Sequence, residues 1–335
     1  MAHDVRDLRT HNDANSELTP QDLPEASNFQ RTLKASIGCS GISLHSGVRV
    51  TMKLHPAPVN SGIIFKRVDL VGGGSEIPAS WDRIADSRMC TVLADESGVS
   101  VATVEHLMSA FYGMSIDNAL VELNGPEVPA MDGSAAPFIF LMECAGVSEQ
   151  SEPRKLLRIL KPVVHSHGRK QVSLTPADHG LKLDFDIDFA APAVGRQSYQ
   201  FDIERGIFKS EISKARTFGF LSDVTALREA GLARGGSLEN AIVVDGDRVL
   251  NEDGLRHSDE FVRHKVLDAI GDLYLTGHRI IGHFHGICSS HADTATLLRQ
   301  VFADDRNWEL VDATDEVETS AWATWNRPLK QATAG

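Results

Sequence analysis

Two stretches of the chain alternate apolar and polar side chains with a period of two, the mark of half-buried strands. Val48, Val50, Met52 and Leu54 fall on one face, with Arg49, Thr51 and Lys53 on the other. Leu181, Leu183, Phe185, Ile187 and Phe189 alternate with Lys182, Asp184, Asp186 and Asp188, and Tyr199, Phe201 and Ile203 continue the theme after a loop holding Pro192 and Gly195. Helical spacing follows in each half. Val104–Tyr112 and Ala135–Ala145 flank a predicted strand at Asp117–Leu123, while Glu204–Lys214, Ser258–Thr276 and His291–Phe302 accompany one at Arg279–Ile287. Strands followed by helices, twice over, predict an α+β fold of two domains, alike in pattern but not in sequence and joined near Glu152–Pro153. The expected boundaries are residues 29–152 and 153–303. A disordered extension (1–28) is expected before them and an acidic tail (304–335) after them, pinned in part by Trp308, Trp322 and Trp325. The segment 221–251 breaks the pattern with a short predicted helix (Asp223–Ala230), a Gly235-Gly236 break, an apolar strand (Ala241–Val244) and a turn at Asp245-Gly246. It reads as an insertion that covers something.

Length and composition sharpen this picture. The 335 residues exceed what one core usually spans, about 250–300 residues, in keeping with two domains. Apolar residues at 42% and charged residues at 24% are ordinary for a globular protein and exclude a wholly disordered chain. With 33 lysines and arginines against 46 acids, the net charge of −13 argues against nucleic acid or anionic membrane as a partner. Any anionic substrate must therefore meet a local basic cluster. Cys39, Cys90, Cys144 and Cys288 form no C-x-x-C pair, which suits a reducing compartment and no structural zinc finger. No apolar run approaches the ~20 residues of a membrane span. The first thirty residues mix both charges, unlike a secretory signal or an acid-poor transit peptide. A cytoplasmic, monomeric chain is expected.

The common hydrolase and dinucleotide motifs are absent, and Gly72-Gly73-Gly74 reads as a loop. What remains is histidine beside carboxylate. On the predicted helix from Ser258, His264, Asp268 and Asp272 fall at i, i+4 and i+8, one stripe of functional groups opposite the apolar face of Val262, Val266, Ala269, Ile270 and Leu273. Two donors four apart can grip one metal, although spacing alone favours a solvated His–Asp pair. Glu105 and His106 open the helix after Thr103, where the helix N-terminus favours neutral imidazole, the form that binds metal. Neighbouring residues diverge by about 100° on a helix, so both serve one site only if His106 is a ligand and Glu105 reaches its water. Alone, such a pair is common by chance. His283 and His285 share one strand face, also a metal-capable spacing, but without an evident third ligand they read as structural, as do His165 and His167.

The stretches TLKASIGCSGISLHSG, TVEHLMSAFYGMSIDNALVELNGPEVPAMDGSAAPF, SKARTFGFLSD and VLNEDGLRHSDEFVRHKVLDAIGDLYLTGH resemble the UDP-3-O-acyl-N-acetylglucosamine deacetylases, from about Thr32 to Phe302. The resemblance implies two similar α+β domains, each a sheet with two helices, packed with the helices between the two sheets. It implies hydrolysis of the substrate acetamide to acetate and a free amine in lipid A biosynthesis, with the acylated UDP-amino-sugar as partner. It further implies zinc held by His106, His264 and Asp268. Glu105 would be the base, His291 the acid oriented by Asp272, Thr217 the partner of the reacting carbonyl, Phe218 a platform for the sugar and Lys265 a substrate-facing cation. His45 borders the site in that family. Histidine and carboxylate accept iron(II) as well as zinc. Lys265, with Arg216 and Lys214 as helpers, is the expected diphosphate cluster. The insertion offers an apolar sleeve for the acyl chain through Phe220, Val224, Leu227, Leu232, Leu238, Ala241 and Ile242. Two rival readings stand beside this: a metal hydrolase acting on another acylated sugar or amide, and a non-catalytic module with a structural metal. Glu105 argues against the second, since a structural site has no use for an unliganded base.

Overall fold

The protein is described by a computed structural model over residues 27–70, 75–203 and 207–315. All but the last two residues of the expected N-terminal extension, and the tail from residue 316 with Trp322 and Trp325, lie outside the described residues. In the first domain five strands lie in the spatial order Ile37–Ile42, Arg49–Pro56, Ala119–Leu123, Ile63–Arg67, Glu76–Pro78. Val50, Met52 and Leu54 are fully buried and their alternates exposed, as the period of two requires; Val48 falls just outside the strand and is exposed. Helix α1 (Glu105–Gly113) and helix α2 (Ala136–Ala145) lie against one another, with α2 also on the strand Ile37–Ile42. A small meander, Ile84–Asp86, Val92–Ala94 and Ser100–Ala102, leads into α1.

Among its described residues the second domain carries helices α3 (Phe208–Glu211), α4 (Leu221–Glu229), α5 (Glu260–Leu273) and α6 (His291–Phe302). Its seven-stranded sheet is organised around Arg279–Ile287, which pairs in parallel with Leu181–Asp188 and Lys155–Ile159 and antiparallel with Lys170–Thr175. That strand sends Phe284 inward and turns His283 and His285 to the outer face. Helices α5 and α6 pack on this sheet, and α5 meets α1 of the first domain. Helices α1 and α5 thus meet in the middle of the molecule, and the α+β expectation holds. α5 runs into a single 3-10 turn, Tyr274–Thr276, and stops at Gly277, whose φ of 78° takes the left-handed cap.

Two expected elements differ. The helix expected over Glu204–Lys214 is one turn, α3, among the described residues. Its carbonyl at Ser213 is taken by the backbone N–H of Ala135 from the other domain, and Phe208 is wedged against Gly113, so tertiary contact ends the helix. The region expected as a tail from residue 304 supplies an edge strand, Trp308–Asp312, antiparallel to Lys155–Ile159. Trp308 pins it by packing edge-on to Phe302. The junction between the domains is itself a strand, Val147–Pro153, paired with Phe29–Leu33.

Candidate active site

Where α1 and α5 cross, their backbones come unusually close. A Cβ at Gly271 would collide with the carbonyl of Glu105, so only glycine lets the start of α1 settle between Asp268 and Asp272. This contact gathers side chains from two domains. One donor atom each from His106, His264 and Asp268 lies within 4.8 Å of the others, all three residues buried. Asp268 Oδ1 stands 3.2 Å from His264 Nε2 and 3.5 Å from His106 Nε2, and accepts no hydrogen bond. His264 Nδ1 donates to the carbonyl of Ala215 at 3.0 Å, which turns the Nε2 lone pair inward. Burial holds the His264 imidazole neutral, with its pKa lowered to about 4. Burial opposes the charge on Asp268, but the Lys265 ammonium beside it holds its carboxyl well below the usual range. An orphaned buried carboxylate oxygen facing two imidazole nitrogens is the donor set that a small divalent ion fits.

Beside this trio stand a carboxyl and an imidazole. Glu105 Oε2 accepts the backbone N–H of Thr91 at 3.0 Å, and Oε1 lies 3.8 Å from His291 Nε2. Burial raises the Glu105 pKa. His291, the first residue of α6, donates from Nδ1 to Asp272 Oδ2 at 2.6 Å. Burial alone would lower its pKa, but the Asp272 and Glu105 carboxylates raise it to about 9. Asp272 Oδ1 in turn accepts the Thr91 hydroxyl at 2.6 Å. Lys265 donates from Nζ to Asp268 Oδ2 at 2.8 Å, so its ammonium sits on the trio rather than free in the cavity.

The group opens into a cavity of about 790 Å³. Thr217, Phe218, Phe220, Leu238 and His45 line it together with Glu105, His106, His264, Lys265, Asp268 and His291. Phe218 packs edge-on to Phe261 and to the His264 ring, at centroid distances of 5.0 Å and 6.3 Å. The insertion does cover this cavity. Arg234 and Gly235 donate from their backbones to the carbonyls of His45 and Leu44, docking it on the first domain. Of its apolar residues, Val224, Leu227 and Ala241 also reach the cavity wall. Ile242 does not: strand alternation turns it into the core and presents Val243 instead. Leu232 is likewise off the wall.

Arg216 is not part of the basic lining. Its guanidinium is spent on Glu260, from Nε to Oε1 at 2.8 Å and from Nη2 to Oε2 at 3.1 Å, beneath the start of α5. Lys214 is exposed elsewhere. The wall's cations are Arg88, Arg169, Lys170 and Arg228 along with Lys265. Arg169 follows Gly168 in the turn after Val163–His167 and Lys170 opens the strand Lys170–Thr175, a Gly-Arg-Lys signal that could have marked them. His283 and His285 lie away from the site, paired with Asp184 and Asp186 at 3.0 Å and 2.9 Å on the outer sheet face.

Fold and site together define a class: a two-domain α+β protein with a three-donor, metal-sized pocket between its central helices, flanked by a buried acid and a buried imidazole. The profile of the UDP-3-O-acyl N-acetylglycosamine deacetylases matches residues 30–303. The chain is 52% identical over 285 residues to a UDP-3-O-acyl-N-acetylglucosamine deacetylase of Acidithiobacillus ferrooxidans, covering 84% of this chain and 93% of that protein. Proteins of the same name from Idiomarina loihiensis and Shewanella frigidimarina are each 47% identical, over 89% and 87% of this chain and 97% and 95% of their own lengths. The chain belongs to the UDP-3-O-acyl N-acetylglycosamine deacetylase family.

Proposed function

We propose that the chain hydrolyses the acetamide of UDP-3-O-(3-hydroxyacyl)-N-acetylglucosamine to acetate and the free amine, in lipid A biosynthesis, with one zinc ion held by His106, His264 and Asp268. The observation that carries this reading is the orphaned Asp268 Oδ1 facing two imidazole nitrogens, with an unliganded carboxyl beside them. When bound, zinc polarises the amide carbonyl and acidifies water, and iron(II) suits the same donors. Glu105 takes the proton from the attacking water, its Oε2 held by Thr91 so that Oε1 faces the reaction. His291, kept protonated at neutral pH by Asp272, gives a proton to the departing nitrogen. Thr217 donates to the carbonyl oxygen as charge gathers there, and Phe218 packs on the sugar.

The two ends of the substrate ask for opposite surroundings, and the cavity wall supplies both. Arg169 and Lys170 suit a diphosphate, and Phe220, Val224, Leu227 and Leu238 suit an acyl chain. No helix among the described residues is long and apolar enough to cross a membrane.

Metal analysis paired with amine release tests the reading. His106→Ala, His264→Ala and Asp268→Ala should each lose bound metal and turnover together. Unchanged metal stoichiometry in His264→Ala would sink it.

A further inference from the structure

We propose that Glu127 is a positioning residue: its buried carboxylate holds Thr103 in a left-handed backbone conformation that aims Glu105 and His106 into the site, and holds the His45 loop against the same cavity. This deepens the function proposed above and rests on it. Glu127 is 2% exposed, and its charge is met by hydrogen-bond donors. Oε1 accepts the backbone N–H of His45 at 2.8 Å and the hydroxyl of Thr103 at 2.9 Å, and Oε2 accepts the backbone N–H of Ser46 at 2.8 Å. A carboxylate taken this far from water survives only when its oxygens are so occupied.

Thr103 is the more telling partner. Its φ is +57°, a region that β-branched residues all but avoid, and it is almost fully buried. Such a conformation persists only where its surroundings enforce it. Thr103 is also the hinge into α1. Val104 caps the helix without any side-chain bond, so the direction of the first turn is set by the backbone just before it. Glu105 and His106 are the first two residues of that turn. The neighbouring backbone is tied to the same place, since Ala102 bridges Glu127 in parallel and accepts the N–H of Val128 at 3.1 Å. Without the Glu127 carboxylate, Thr103 has reason to relax toward negative φ, and the turn bearing both functional residues would swing with it.

The second arm runs through the loop. The His45 and Ser46 amides fix a segment whose carbonyls, at Leu44 and His45, receive the insertion at Gly235 and Arg234 over 3.0 Å and 3.1 Å. One carboxylate thus joins the metal-facing helix to the loop on which the insertion rests.

Side chains at position 103 separate this role from ordinary packing. Glycine adopts positive φ without cost, serine keeps the hydroxyl, and valine keeps the shape but loses the bond. Thr103→Ser and Thr103→Gly should bind zinc, measured by competition with a chromophoric chelator on the metal-stripped protein, and turn over within about twofold of the parent. Thr103→Val should lose about tenfold or more in zinc affinity and in kcat. Glu127→Leu, which offers no acceptor to Thr103, His45 or Ser46, should fall likewise with a raised KM. Adding Thr103→Gly to it should restore zinc affinity and kcat while KM stays raised, because the His45 loop is still unheld.

Thr103→Val behaving like Thr103→Ser, or Thr103→Gly falling below Thr103→Val, overturns the proposal, as does failure of glycine to rescue a folded Glu127→Leu. If Glu127→Leu does not fold, the three single variants at Thr103 decide alone. His106→Ala is the control for the underlying function. If it keeps zinc and turnover, the metal reading itself is wrong. If it loses both while Thr103→Val loses neither, only the role of Glu127 falls.

Discussion

Glu105 and His291 stand face to face across 3.8 Å, and their surroundings bias both toward holding protons, by different means. Burial raises Glu105, whereas His291 overcomes burial through Asp272 and Glu105. A single proton placed between them can therefore be handed either way, which suits a reaction that takes one from water and returns one to nitrogen. Glu105→Gln should keep the fold and the three proposed metal donors but cannot accept the proton. Turnover should drop by a factor on the order of 10²–10⁴ with metal content unchanged, read by pairing elemental analysis with single-turnover kinetics. His106, His264 and Asp268 were open to reading through the family resemblance of the short blocks that hold them, not through spacing, which left each pair bland. Thr91 and Glu127 were not, because what gives them meaning is remote: Thr91 meets Asp272 across 181 positions and Glu127 meets His45 across 82. Arg216 misled for the same reason, since a basic residue beside Thr217 looks available until Glu260, 44 positions on, claims it.

Among elements, the contact between α1 and α5 governs the site. Gly271→Ala adds one methyl where the Glu105 carbonyl lies, and the helices must separate to admit it. Overpacking of this kind typically costs about 1–3 kcal/mol, and here it also pulls His106 from His264 and Asp268. Zinc affinity should fall by more than thermal stability alone suggests, which chelator competition and a melting curve together will show. The insertion permits a cleaner separation of binding from chemistry. Leu238 is half-exposed on the cavity wall, so Leu238→Asp should fold normally. Each buried CH₂ contributes about 0.8 kcal/mol, so a charge along the acyl path should lower kcat/KM strongly for the acylated substrate and little for a chain-free analogue. Equal losses on both would place the acyl chain elsewhere. Periodicity exposed α5, α6 and Arg279–Ile287 because each runs long enough to show its period. It could not expose the three-residue strands of the meander, nor Trp308–Asp312, whose side chains do not alternate between buried and exposed.

At the scale of the whole molecule, the Arg216–Glu260 pair ties the start of α5 to the chain that carries Ala215 and Thr217. Glu260 also accepts the backbone N–H groups of Arg216 and Arg256, at 3.0 Å and 2.6 Å. Burial opposes its charge, but these partners hold its pKa below the ordinary 4.5. Its contribution is therefore complete above pH 4.5 and is lost as pH falls through the lower folded value. Glu260→Gln should lower the melting temperature at pH 7, where breaking a buried pair costs about 3–5 kcal/mol, and should flatten part of the decline seen on acidification. A variant melting curve parallel to the parent's from pH 7 to pH 3 would show that the acid sensitivity lies elsewhere.

The trio of donors is divided: His106 comes from one domain, His264 and Asp268 from the other. A ligand that must touch both halves turns its own chemical potential into adhesion between them. By mass action, free metal at a hundred times its dissociation constant would add about 2.7 kcal/mol to the folded, docked state. Dialysis against a chelator should therefore lower the melting temperature and quicken hydrogen exchange along α1 and α5, with both effects reversed in proportion to the logarithm of restored zinc and absent in Asp268→Ala. The molecule's cohesion would then follow metal supply, and a shortage would loosen the two halves before any substrate arrived.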